Sequence, residues 1–245
     1  MKEQKNFFYI RVFTGGLAPC KENIQHYLER IPCNCTIAAD SGLDLCREYG
    51  FTPDLILGDF DSLSSRNLLS QYDSQIIKNF PQDKDYTDTE LALHYAHKMA
   101  AEKKFIPHIT LIGGDGGRFD HLLSIYNTFS GRERPDVWFL KEQAVYFLQK
   151  GHTVKIGGLK ENDYLSVARC ASSNRGGWLT GQGLKWSCSI FNKKGMPSLS
   201  NRISEKVATS GQVTLTAHRK DFLVITSLSA QIHSTFSVVD MKDLK

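Results

Sequence analysis

The sequence predicts a three-layer α/β domain with a mostly parallel sheet, followed by an antiparallel all-β domain. Three observations carry that reading. Up to residue 149, short apolar runs alternate with stretches of helical periodicity. Beyond Gly151 the helical period disappears, and short β-rich runs follow, split by Gly, Asn, Ser and Lys. Aspartates recur just past the predicted strand ends of the first part. Strand, helix, strand in repetition implies parallel strands with helices on both faces. The later runs fit an antiparallel sandwich or barrel. The chain is therefore read as two domains, 1–149 and 150–245.

Residues 7–13 are apolar apart from Arg11 and run into Gly15-Gly16, so they read as a first strand and not as a secretion signal. A helix over 22–30 follows, then a buried strand over 35–39 that ends at Asp40. Residues 43–49 form a short helix stopped by Gly50, and 55–57 a third strand leading into Gly58-Asp59. A fourth strand over 75–80 is closed by Pro81. Leu91, Tyr95 and Met99, beside Ala92, Ala96 and Ala100, make two i, i+4 rows on one helix face. Thr87 and Glu90 have the spacing of a capping box at the start of that helix. A fifth strand over 108–112, a helix over 119–129 and a β stretch over 137–140 and 144–148 complete the first domain. In the second, 153–156, 164–168, 212–217 and 222–227 read as strands, and the tail after Ser229 has no pattern.

Composition narrows the function. The 245 residues include 30 Lys and Arg against 26 Asp and Glu, a net charge of +4. The basic residues are scattered, which suits a small anionic ligand and does not indicate a nucleic-acid surface. No apolar run approaches the ~20 residues of a membrane span. The six cysteines lack metal-site spacing, and a chain of this length needs no disulfide frame, so they read as free thiols of a cytoplasmic protein.

The positions of the acids are the informative feature. Asp40, Asp59 and Asp61 fall at or just past strand ends, and Asp85 and Asp88 sit at the start of a helix. In an open α/β sheet that is where ligands bind. Five carboxylates there repel one another unless a cation is present, and Mg²⁺ takes such oxygen ligands together with phosphate oxygens. An extended Asp59-Phe60-Asp61 would send both carboxylates one way and Phe60 into the core. Lys84, among these acids, is either an ion-pair partner or a phosphate contact. The run Gly113-Gly114-Asp115-Gly116-Gly117-Arg118-Phe119-Asp120-His121 follows a strand and opens a helix, where free backbone N–H groups receive phosphate. Arg118 adds a planar donor fork, and Asp120 lies beside it. The run is neither a P-loop nor a dinucleotide fingerprint, and no nucleophile elbow, HExxH or EF-hand pattern is present. Phosphoryl-group chemistry aided by Mg²⁺ remains.

Taken in order, these segments resemble the thiamine pyrophosphokinase family. The resemblance rests on Asp40-Ser41-Gly42, Pro53-Asp54, Gly58-Asp59-Phe60-Asp61-Ser62, Asp83-Lys84-Asp85 with Thr87-Asp88, and Gly113 through His121. Gly183-Leu184-Lys185-Trp186 and Ser200-Asn201 continue it into the second half. It implies an ATP- and Mg²⁺-binding α/β domain, a β-sandwich that binds thiamine and dimerises, and a homodimer with active sites between subunits. It also implies the reaction, ATP plus thiamine giving thiamine diphosphate plus AMP. By position, Asp59, Asp61 and Asp88 correspond to metal ligands. Asp40, Lys84, Gly114, Gly117, Arg118 and Asp120 fall on the ATP side, with Asp85 or Asp88 as base. Ser198, Ser200, Asn201 and Trp186 fall on the thiamine side, Trp186 being a contact or a core aromatic. Two departures stand out: Ser41 replaces a frequent glycine, and Arg202-Ile203 replaces a common Glu-Phe. A diphosphotransferase acting on another alcohol such as a pterin, and a non-catalytic sensor of nucleotide or thiamine diphosphate, are the alternatives.

Overall fold

The structure, a computed structural model, describes residues 6–160, 162–170, 176–187, 195–204 and 212–235. The chain divides into two compact units, Met1–Glu142 and Gln143–Lys245.

The first unit is built on a parallel sheet. Its strands are β1 (Phe7–Thr14), β2 (Cys35–Ala39), β3 (Leu55–Gly58), β4 (Ile77–Asn79), β5 (Ile106–Ile112) and β6 (Val137–Phe139). They lie in the order β6-β5-β1-β2-β3-β4, every neighbouring pair parallel. The chain steps outward from β1 to β4, then returns to the other side of β1 with β5. The order thus reverses between β1 and β5, and the crevice at such a reversal is where this class of sheet binds ligands. The helices are α1 (Gln25–Arg30), α2 (Gly42–Glu48), α3 (Asp88–Glu102) and α4 (Phe119–Thr128). All of β2 is buried, as strands covered on both faces must be. Arg11, inside β1, is also buried; its guanidinium donates to the carbonyls of Leu28 and Ile31 at the end of α1, which explains a charge in an apolar strand. On α3 the alanine row Ala92, Ala96 and Ala100 faces inward with Leu93, so the helix lies close to the sheet. Leu91, Tyr95 and Met99 form its half-buried flank.

The predicted strand over 75–80 is shorter in the structure. Asp73 accepts a hydrogen bond from the Gln75 N–H at 2.9 Å and turns the chain into a 3-10 turn, Ser74–Ile76, before β4.

The second unit holds two antiparallel four-stranded sheets and is a sandwich. Its strands are β7 (Gln143–Leu148), β8 (Thr153–Gly157), β9 (Tyr164–Arg169), β10 (Trp178–Gln182), β11 (Ser198–Arg202), β12 (Val213–His218), β13 (Phe222–Ser227) and β14 (Gln231–Thr235). One sheet runs β11-β9-β13-β7 and the other β10-β12-β8-β14. Leu165, Val167, Val213, Leu215 and Val224, all fully buried, form its core. Residues 143–148, read from sequence as the end of the first domain, pair with β13 from Phe222↔Leu148 to Ser227↔Gln143 and so belong to this unit. Among the described residues no helix is long and apolar enough to cross a membrane.

Candidate active site

A crevice of about 300 Å³ opens at the carboxyl ends of β1, β2 and β5, where the strand order reverses. Gly15 and Gly16 line it after β1, Asp40 and Ser41 after β2, and Gly114 through Arg118 after β5; Thr87 and Asp88 at the start of α3 close one side. The Thr14 and Thr89 hydroxyls, 2.6 Å apart, tie the end of β1 to the first turn of α3. The glycine loop is anchored by Trp138, whose indole N–H donates to the Gly113 carbonyl at 2.8 Å. Gly117 has a φ of 68° and nothing within 4 Å of where a Cβ would stand, so its backbone faces open space in a conformation that favours glycine.

The acids are set by unusual backbone. Asp40 (φ 47°) and Phe60 (φ 61°) are non-glycine residues in the left-handed region. The Asp40 N–H donates to the Leu57 carbonyl at 2.8 Å, folding the end of β2 over β3. A Cβ on Gly58 would lie 3.1 Å from the Asp40 backbone, so that approach depends on glycine. The result is convergence: one carboxylate oxygen each from Asp40, Asp59 and Asp88 lies within 4.8 Å of the others. Lys84 sits between two of them, its ammonium 3.4 Å from Asp59 Oδ2 and 3.3 Å from Asp88 Oδ1, and it also donates to the Pro81 carbonyl at 3.1 Å. The approach to Asp88 is an ion pair without hydrogen-bond alignment, because Asp88 Oδ1, like Asp40 Oδ1, is buried without a hydrogen-bond partner.

Protonation preferences follow from this crowding. Burial raises the Asp40 pKa, and the charges of Asp59 and Asp61 add to the rise. Burial also raises Asp88, against the pull of Lys84. For Asp59 burial pushes upward too, but the Asp61 N–H and the Lys84 ammonium outweigh it and the pKa falls. Three converging acids with one ammonium, and an Asp40 Oδ1 buried without a hydrogen-bond partner, leave net negative charge partly out of water. That arrangement is costly unless a cation joins it, and an all-oxygen donor set suits Mg²⁺.

Other predicted residues stand elsewhere. Asp61 is exposed and lies outside the converging three; its carboxylate accepts from the Ser62 hydroxyl at 2.8 Å and from Gln82 at 2.9 Å, while its N–H donates to Asp59 at 3.2 Å. The left-handed turn at Phe60 breaks the extended geometry that would align the two carboxylates, although Phe60 itself is buried. Asp85 is exposed on the loop before α3. Arg118 lines the crevice, and its guanidinium is held by Asp120 through Nε–Oδ1 at 3.2 Å and Nη2–Oδ2 at 2.5 Å. That bond and the guanidinium charge hold the Asp120 carboxyl down at about 2. Sequence reasoning passed over Gly15, Gly16, Ser62 and Thr89 as parts of the crevice. The signal was available for the glycine pair, which follows the first strand as the second glycine run follows the fifth.

In the second unit Trp186 is 53% exposed, so it is not a core aromatic. Ser198 and Asn201 are buried, whereas Ser200 is exposed in a left-handed conformation (φ 49°), its N–H donating to the Ser166 hydroxyl at 2.9 Å. Asn201 bonds to both main-chain groups of Trp186.

Residues 25–138 match the family model described as thiamin pyrophosphokinase, catalytic domain. Solved structures share the fold across nearly the whole chain. A thiamine pyrophosphokinase from Bacillus subtilis is 21% identical with a TM-score of 0.66, over 89% of this chain and 98% of its own. A thiamin pyrophosphokinase family protein from Enterococcus faecalis is 22% identical with a TM-score of 0.65, over 90% and 98%. Thiamin pyrophosphokinase from Candida albicans is 17% identical with a TM-score of 0.62, over 93% and 94%.

Proposed function

Since this chain belongs to the thiamin pyrophosphokinase family, we propose that it transfers the terminal diphosphate of ATP to the hydroxyl of thiamine, giving thiamine diphosphate and AMP. The observation that carries this reading is the meeting of three aspartates, one of them (Asp40) with a buried oxygen that has no hydrogen-bond partner, beside a glycine-lined crevice at the sheet's reversal point. Asp40, Asp59 and Asp88 would hold Mg²⁺, which when bound neutralises charge on phosphate oxygens.

In the reaction the thiamine hydroxyl oxygen bonds to the β-phosphorus of ATP. The bond from that phosphorus to the α–β bridging oxygen breaks, and AMP leaves with that oxygen. The hydroxyl proton passes to a carboxylate; Asp88 lines the crevice, whereas Asp85 is exposed on the preceding loop. Positioning does most of the work in such a transfer. The Gly114, Asp115 and Gly116 N–H groups shape the loop by donating to Gly15, Leu17 and Asp115, so Gly117, whose backbone faces open space, is the proposed main-chain contact to phosphate, and Arg118 reaches phosphate oxygen by exchanging Asp120 for it. Lys84 offsets part of the charge of Asp59 and Asp88, and the Asp61 N–H orients Asp59. Ser198, Ser200, Asn201 and Trp186 form the proposed thiamine side. A homodimer with active sites between subunits, in the cytoplasm, completes the proposal.

Release of AMP from ATP, with thiamine and Mg²⁺ each present or absent, tests it. Turnover requiring both is expected, with Asp59→Asn at least ~10²-fold slower. AMP release with a pterin alcohol in place of thiamine, or saturable binding of ATP and thiamine without AMP, would overturn it.

A further inference from the structure

We propose that Lys84 is a built-in counter-ion that weakens the hold of Asp40, Asp59 and Asp88 on a lone divalent cation, so that metal enters this site together with the nucleotide's phosphates. The proposal rests on the reading that these acids hold the metal of a diphosphotransferase.

Sequence alone leaves Lys84 as an ion-pair partner or a phosphate contact, and the geometry favours the first. The crevice wall includes Ser62, Thr87 and Asp88 but not Lys84. The Lys84 side chain is 13% exposed, and its ammonium lies 3.4 Å from Asp59 Oδ2 and 3.3 Å from Asp88 Oδ1. Those two acids are 15% and 21% exposed, so water and salt screen the three charges weakly.

Two loops hold the ammonium in place. It donates to the Pro81 carbonyl, three residues back, at 3.1 Å and to Asp59 Oδ2. Two residues before Lys84, Gln82 Nε2 donates to Asp61 Oδ2 at 2.9 Å. The segment from Pro81 to Thr87 is thus laced by two side chains to the segment that carries Asp59 and Asp61. Thr87 then caps α3, and Asp88, four residues on from Lys84, meets the same ammonium. A swing of Lys84 into the crevice would give up its bonds to Pro81 and Asp59.

The charge balance gives this placement a consequence. Three carboxylates converge within 4.8 Å, and the Lys84 ammonium answers two of them. A divalent ion on the same oxygens stands close to that ammonium, and like charges so near in a partly buried site repel. Lys84 therefore opposes the cation and favours an anion. Phosphate oxygens supply further ligands and negative charge, which offset the repulsion when metal and nucleotide arrive together. Loss of the ammonium acts in opposite directions on the two ligands, whereas damage to the fold weakens both.

Two binding measurements on the parent, Lys84→Met and Lys84→Arg test the proposal. One is Mn²⁺ binding without nucleotide, read from the paramagnetic resonance of the free ion; the other is ATP binding in EDTA, read by calorimetry. Mn²⁺ is the probe because it takes the same oxygen ligands as Mg²⁺. K84M should bind Mn²⁺ about tenfold tighter and ATP more weakly, while K84R, which keeps the charge, stays within about threefold of the parent for both. Where K84M does not fold, Lys84→Gln makes the same comparison. Mn²⁺ binding that is unchanged or weaker in the neutral variant, or that tightens equally in K84R, would overturn the proposal. AMP release from ATP and thiamine is followed on the parent alone. A parent that releases none fails the diphosphotransferase reading, and the Mn²⁺ comparison still decides the role of Lys84.

Discussion

Asp40 shows how a single residue can be set against its own stability. It is buried, left-handed, short of a hydrogen bond at Oδ1, and faced by two other carboxylates. Such strain clusters at functional sites because the surrounding structure holds it in place. Asp40→Asn removes a buried charge that two other carboxylates face. In metal-free buffer the variant should therefore unfold higher, by about 1 kcal/mol or roughly 2–4 °C in Tm for a chain of this size, while AMP release falls at least ~10²-fold. Thermal unfolding in EDTA beside the turnover assay checks both; a lower Tm would show that Asp40 stabilises the fold. The acids themselves were legible as aspartates at strand ends. Which three converge was not, because Phe60 adopts a left-handed turn where an extended segment was expected, and that turn sets Asp61 aside and leaves Asp40 as the third member.

Among the elements, α3 is the one whose beginning matters most. The predicted capping box is formed: Thr87 Oγ1 accepts from the Glu90 N–H at 3.2 Å, and the Glu90 carboxylate accepts from the Thr87 N–H at 2.9 Å. The next residue is Asp88, so the cap that begins the helix also fixes one of the converging acids. Thr87→Ala should cost about 1 kcal/mol, read as a fall in Tm, with Thr87→Ser restoring most of it; an unchanged Tm in T87A would mean the cap is dispensable. Elements with strong local signals, such as this helix and the buried strands β1, β2 and β5, were readable from sequence. Strands β10, β11 and β14 were not. β11 reads Ser-Leu-Ser-Asn-Arg, and its bulge sends polar Ser198 and Asn201 inward while Leu199 is exposed, which inverts the pattern that reveals a strand. β10 carries Gly181 and buries only Leu179 among its five residues.

For the whole molecule, the change from helical to β grammar revealed two folds, but the break in the chain follows pairing and not grammar, since β7 reads as a continuation of the first half until its partner β13 is known. Stability against pH is likewise a property of the whole chain, and two partly buried histidines give it a direction. His108, on β5, is packed against the Tyr9 ring and lies 3.8 Å from Asp136; burial lowers its pKa, and Asp136 only partly opposes this. His97, on α3, is also lowered by burial, against its contact with the Arg134 carbonyl at 3.3 Å. Each ring is neutral in both folded and unfolded chains above the ordinary histidine value of about 6.5. As pH falls below that value the unfolded chain takes up the proton first, so stability present at neutral pH is lost on the way down to the folded pKa. Tm should fall by up to roughly 2–4 °C between pH 7.5 and 5, about 1 kcal/mol at most once solvent reaching both rings is discounted. The double variant His97→Gln/His108→Gln should flatten that part of the profile. Thermal unfolding across this range in EDTA checks it, and a variant as pH-sensitive as the parent would assign the slope to other groups.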